Sequence, residues 1–176
     1  MMALTLRKPT LYSSLGFVVT LLIIAGCGHG GGGSTHPSLV GTYLGTANTT
    51  LSSSRVLAPV NGSIQFVVAA DNSVSVGDPG QPPFGQGTLN GNTFTAVAPG
   101  SIANSPGISC GGTIVFDGTI TGTNMNGTVS SNGFACNGVP FTVSGTFTAT
   151  LQAERPTTVT GHGGLGQTLR DAVRSQ

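Results

Sequence analysis

Tryptophan is absent from this chain of 176 residues, and charge is scarce: Asp, Glu, Lys and Arg together make 6% of it, against roughly 25% in ordinary domains. Lysine occurs once, at Lys8. Beyond residue 26 there are four arginines (Arg55, Arg155, Arg170, Arg174) against five acids (Asp71, Asp78, Asp117, Glu154, Asp171), a formal net charge of −1. No basic stripe is available to neutralise phosphates, which excludes nucleic acid as a partner. The three histidines, His29, His36 and His162, have no second ligand at metal spacing, so neither a metal nor a cofactor is expected. The carboxylates are scattered, and no pair is placed for acid–base work. A long hydrophobic run is missing too. The apolar stretch "FVVTLLII" at 17–24 is far short of the about 20 residues that span a bilayer.

That stretch has a different grammar. Arg7 and Lys8 precede it, and small residues close it, as in an export signal. Ile24-Ala25-Gly26-Cys27 resembles the lipobox of bacterial lipoproteins. The resemblance implies cleavage before Cys27 and acylation of that cysteine. It also implies a place in the bacterial cell envelope, anchored by lipid. Gly28, a residue other than Asp after the cysteine, is similar to the outer-membrane-directed type. Residues 28–38, "GHGGGGSTHPS", are expected to form a flexible linker with an r.m.s. span of about 18 Å. The expected organisation is a signal peptide at 1–26, a lipidated Cys27 with linker at 27–38, a β-barrel at 39–151 and a C-terminal tail at 152–176.

What is abundant is glycine, 29 residues, with threonine, serine and asparagine. A mean hydropathy of +0.23 and the many Phe, Val and Ile argue against disorder. From residue 39 the apolar residues alternate with period two, the mark of half-buried strands. "FTVSGTFTATL" at 141–151 sets Phe141, Val143, Gly145, Phe147, Ala149 and Leu151 on one face, with Thr and Ser on the other. The spacing predicts strands at 39–47, 63–70, 73–77, 85–90, 92–98, 112–121, 125–131 and 141–151. Asp71-Asn72, Asn90-Gly91 and Gly122-Thr123-Asn124 supply the turns, and Asn-Gly is the preferred type I′ pair. Eight short strands joined by hairpins predict an all-β fold, an antiparallel up-and-down barrel. Gly118, Gly127 and Gly145 on inward faces suit a strongly bent sheet. "LVGTY" at 39–43 and the hairpins "GTLNGNTFT" and "GTITGTNMNGTVS" resemble those of lipocalin-like, calycin-like bacterial lipoproteins. In the tail, Leu165, Leu169 and Val173 fall on one face of a short helix, either frayed or docked on the barrel.

Two motifs look like chemistry. Gly161 to Gly166 matches GxGxxG, but no βαβ unit or acidic residue about 20 positions on accompanies it. Gly107-Ile108-Ser109-Cys110-Gly111 matches GxSxG, with Asp117 and His162 following in hydrolase order. A nucleophile elbow requires strand–turn–helix, whereas Ser109 precedes a predicted strand. No catalytic residue is expected. Export implies an oxidising compartment, and with Cys27 acylated the remaining thiols, Cys110 and Cys136, are predicted to form a disulfide.

The inward set inferred from alternation is Tyr43, Phe66, Phe94, Phe116, Phe141 and Phe147 with Ile64, Val68, Leu89, Ile114, Ile120, Val129 and Val143. So many rings predict a filled barrel, with binding carried by the outer face and by loops 48–62, 78–87 and 98–111. The expected function is that of a lipid-anchored, non-catalytic binding or structural module of the envelope, with an envelope protein as partner. The alternative is a lipocalin-like carrier of a small apolar ligand, and the remote one an envelope serine hydrolase using Ser109. The lipobox itself generates a test. Radiolabelled palmitate is expected to enter the protein and to be lost in Cys27→Ser; label persisting in that variant would refute lipidation at Cys27.

Overall fold

Alternation of apolar and hydroxyl residues makes this chain a sheet, and the sheet closes on itself. The computed structural model describes residues 39–153 and 163–175. Its strands are β1 (Gly41–Ser52), β2 (Leu57–Val68), β3 (Ser73–Gly77), β4 (Gly85–Asn90), β5 (Thr93–Pro99), β6 (Cys110–Thr121), β7 (Asn124–Cys136), β8 (Val139–Pro140) and β9 (Thr142–Leu151). Each strand pairs antiparallel with its neighbour in sequence. β9 pairs with both β7 and β1, so eight strands close an up-and-down barrel. The two-residue β8 pairs only with the end of β7 and lies outside that ring. A 3₁₀ turn (Gly100–Ala103) follows β5, and one helix, α1 (Leu165–Arg174), ends the described chain. The signal peptide, the lipobox with Cys27, the linker, and His29, His36, Glu154, Arg155 and His162 lie outside the described residues.

The inward set behaves as alternation predicts, with Leu89 as the exception. The other twelve residues are buried, and Leu89 is half-buried at the end of β4. Phe134, Met125, Leu51, Val60, Val74 and Val76 join the core. Four rings form its centre: Phe66 lies 4.8 Å from Phe147, 5.5 Å from Phe94 and 6.0 Å from Phe116 between ring centroids.

Glycine makes room for these rings. Phe94 pairs across the sheet with Gly118, and Gly118 with Gly127, and Gly127 with Phe147. A Cβ on Gly118 would lie 2.5 Å from Phe94 and 2.8 Å from Phe147, and one on Gly127 2.6 Å from Phe147. The rings therefore cover the two bare glycines, as in the aromatic rescue of sheet glycines. Gly145 faces backbone rather than a ring. A Cβ there would strike the backbone oxygen of Asn48, so this glycine admits close approach of β9 to β1.

The stretch 48–62 was expected to be a loop, and most of it is strand. Pro59 and Asn61-Gly62 carry strong turn signals, yet β1 and β2 pair throughout, with Thr50 opposite Pro59. The physical reason lies in the length of β3. Its pairing with β2 stops at Gln65–Gly77, so β2 is an edge from Leu57 to Ile64. The Ser63 N–H points away from β1 and donates to the Gly163 carbonyl. Strand parity turns the nitrogen of Pro59 the same way, where no ladder bond is lost.

Helix α1 sits against that free edge. Leu165, Leu169 and Val173 are buried, which resolves the frayed-or-docked alternative for residues 165–174 in favour of docking. Gly62 lets the helix start lie on β2, since a Cβ there would come within 2.6 Å of the Leu165 Cα. The helix has no cap of its own. Asp78, from the β3–β4 connection, accepts the Gly166 N–H at 2.9 Å instead. A carboxylate at an N-terminus satisfies an orphan donor and complements the helix dipole, worth about 1 kcal/mol. Arg170 donates to the Ile102 carbonyl at 3.0 Å, linking the helix to the 3₁₀ turn. Gly164 and Gly166 of the GxGxxG match thus serve close packing against Asp78 at a helix start.

Removing a ring from this core is expected to be costly. Phe116→Ala and Phe147→Ala should each destabilise by about 3–5 kcal/mol in denaturant unfolding. Gly118→Ala should cost about 1–3 kcal/mol by crowding two rings. Gly111→Ala, where a Cβ meets nothing within 4 Å, serves as the silent control. A Gly118→Ala variant as stable as the control would contradict the ring-over-glycine packing.

Candidate functional site

Because inward positions are filled, polar chemistry concentrates on the outer wall. The strand registers align its residues into rows. One row runs Ser73–Thr88–Thr95–Asp117–Thr128–Thr146–Asn48–Asn61 around all eight strands. All eight members are exposed. The row two residues away continues Asn90–Thr93–Thr119–Asn126–Thr148–Thr46. The barrel is thus girdled by hydroxyls and amides. Within these two rows Asp117 is the one charged side chain.

Asp117 interrupts an otherwise neutral strand, and it lies on the exposed outer face, as alternation indicates. The Thr95 hydroxyl, directly across the β5–β6 pair, donates to its Oδ1 at 2.6 Å. Around it the wall is concave. An open groove of about 540 Å³ crosses β4 to β7, lined by Thr88, Thr95, Asp117, Thr119, Asn126 and Thr128 among others. Gly118 and Gly127 floor it, so the residues that admit the interior rings also form the dip outside. A smaller open groove of about 270 Å³ crosses β1, β7 and β9, with Thr46, Asn124, Asn126 and Thr148 in its lining. Both grooves open to solvent on the outer wall.

The far rim is organised by the disulfide. Cys110 and Cys136 are bonded, with Cα atoms 4.0 Å apart. They are directly paired residues of β6 and β7, and both are buried. Cys110 opens β6 and Cys136 ends β7, so the bridge ties the ends of two adjacent strands. Asn137, in the left-handed region at φ 48°, extends the clamp. Its side chain accepts the Ser109 N–H at 3.0 Å and donates to the Gly107 carbonyl at 3.0 Å. Asn104 accepts the Cys110 N–H at 2.7 Å. The loop before β6 is therefore held to the β7–β8 turn.

Ser109 is exposed and runs directly into β6, with no helix after it. Asp117 stands eight residues further along the same strand, roughly 26 Å away at strand rise. The structure does not bring the two together, and His162 is outside the described residues. Arg55 is exposed in the short turn between β1 and β2. Among the described residues no group of three or more His, Cys, Asp or Glu could hold a metal ion. No helix among them is long and apolar enough to cross a membrane. Asp71 has its carboxyl below the usual range, because the Ser73 hydroxyl and backbone N–H both donate to it. That contact closes the β2–β3 turn. The girdle was not found by pattern reading, because cross-strand rows exist only once register is known.

No protein-family model matches the chain, and no curated protein matches it. Among solved structures it is similar to a crystal structure of transferrin binding protein B, a vaccine antigen of Haemophilus parasuis Hp5, in mutant form. Identity is 14% and the TM-score 0.46, over 66% of this chain and 27% of that one. The chain thus spans about a quarter of that protein's length.

The disulfide closes 26 residues of sequence. The chain-entropy model gives it about 3.5 kcal/mol of stabilisation. Cys110→Ser with Cys136→Ser is expected to fold and to unfold at lower denaturant by that order. An unchanged midpoint would show that the paired strands, not the bridge, hold this rim.

Proposed function

We propose that this protein is a lipid-anchored, non-catalytic β-barrel of the bacterial cell envelope that binds its partner on the outside of the barrel. The observation that carries the reading is the filled interior. Phe66 and Phe147 each stand within 4.8–6.3 Å of the other and of both Phe94 and Phe116, where a carrier barrel would hold its ligand. The outer wall, by contrast, offers a rigid concave surface with a fixed carboxylate. The lipobox ending at Cys27 and the glycine linker would supply the tether, and the resemblance of Gly28 to the outer-membrane-directed type supports anchoring in that membrane. An envelope partner fits a chain so placed.

The carrier of a small apolar ligand finds no support in the ring packing, and the Ser109 hydrolase none in the placement of Ser109 and Asp117. Purification from native membranes, with mass spectrometry of what copurifies, tests the reading. Envelope polymer or protein is expected with the wild type. A stoichiometric small apolar molecule inside the barrel would establish the carrier instead.

A further inference from the structure

We propose that the concave outer wall across β4 to β7 is a binding site for a neutral glycan strand. The inference rests on the binding-module reading and names its ligand class. Charge complementarity makes the first argument. The groove holds one charged side chain, Asp117, and its polar lining is otherwise hydroxyl and amide. An anionic polymer meets a carboxylate and no cation, and a cationic one finds a single charge. A neutral polyol matches the lining group for group, since threonine hydroxyls and asparagine amides both donate and accept.

The wall also lacks what a protein partner needs. Interface hot spots are built from Trp, Tyr and Arg anchors in desolvated pockets. The groove has none of these, and its one ring, Phe94, is 4% exposed.

Pre-organisation makes the last argument. Thr88, Thr95, Thr119 and Thr128 sit on paired strands, spaced about 4.8 Å across the sheet and about 6.8 Å along it. Their β-branched side chains are stiff at χ1, so little freedom is lost on binding. Asp117 is held by the Thr95 hydroxyl and adds a charged acceptor for a sugar hydroxyl.

The test titrates chitotetraose into the full mature chain and follows backbone amide shifts. Saturable shifts confined to β4–β7 are expected. Asp117→Asn should weaken binding about tenfold, the scale of one charge-assisted hydrogen bond. Thr95→Val with Thr128→Val, which removes two hydroxyls at constant shape, should abolish it. Thr146→Val, in the same row but outside the groove, should bind as wild type. Unchanged melting midpoints confirm that each variant is folded. The proposal is overturned by no saturation at millimolar sugar, by shifts spread evenly over the barrel, or by a double variant that binds normally. A protein captured from the envelope without any glycan response would also overturn it, while leaving the binding-module reading intact.

Discussion

Everything in this barrel depends on aromatic rings lying over bare glycines. Phe94 and Phe147 face Gly118 and Gly127 across the sheet, so two large and two absent side chains share one layer. An eight-stranded barrel is just wide enough to be filled by side chains. Four phenylalanines at one level would overfill it if each neighbour carried a Cβ. The glycines remove that volume and let the wall bend inward where it is removed. The same two residues therefore determine the solid interior and the outer concavity. The packing thus fills the interior and leaves the concavity on the outer wall.

Scarcity of charge has its own structural consequences. With so few ionised side chains, docking of the helix relies on single directed contacts. Asp78 on the Gly166 N–H and Arg170 on the Ile102 carbonyl each join a charge to a backbone dipole rather than to an opposite charge. Both partners are partly shielded, and such charge-assisted bonds are stronger than neutral ones. Elsewhere, solubility falls to threonine, serine and asparagine, which also suit exposed strand faces. The hydroxyl girdle is thus the surface that a β-barrel presents when it does without charge.

Period-two alternation made the strands legible, and the inner face with them. Phe66, Phe94, Phe116 and Phe147 could be placed inward from spacing alone, because a one-residue slip would have exposed every ring. The disulfide was legible by elimination of thiols. The stretch 48–62 was not, because Pro59 and Asn61-Gly62 carry local turn signals that the free edge of β2 tolerates. That edge is a property of β3 stopping at Gly77, twelve residues beyond the paired Gln65. The girdle around Asp117 was illegible for a related reason: its adjacent members lie from 7 (Thr88–Thr95) to 98 (Asn48–Thr146) residues apart, and only register makes them neighbours. The docking of α1 needed knowledge of the notch that the short β3 and β4 leave beside β2.

The two ends of the barrel are built differently. The chain enters β1 at Gly41, at the end closed by the turns after β2, β4 and β6. The opposite end carries the connections after β1, β3, β5 and β7, together with the disulfide and the Asn137 clamp. Loops that face outward and carry contacts must keep their shape without a core beneath them. Cross-linking at Cys110–Cys136 and the hydrogen bonds of Asn104 and Asn137 supply that rigidity at the rim. The outer wall obtains it from the ladders of β4 to β7, so both surfaces available to a partner are pre-organised before contact.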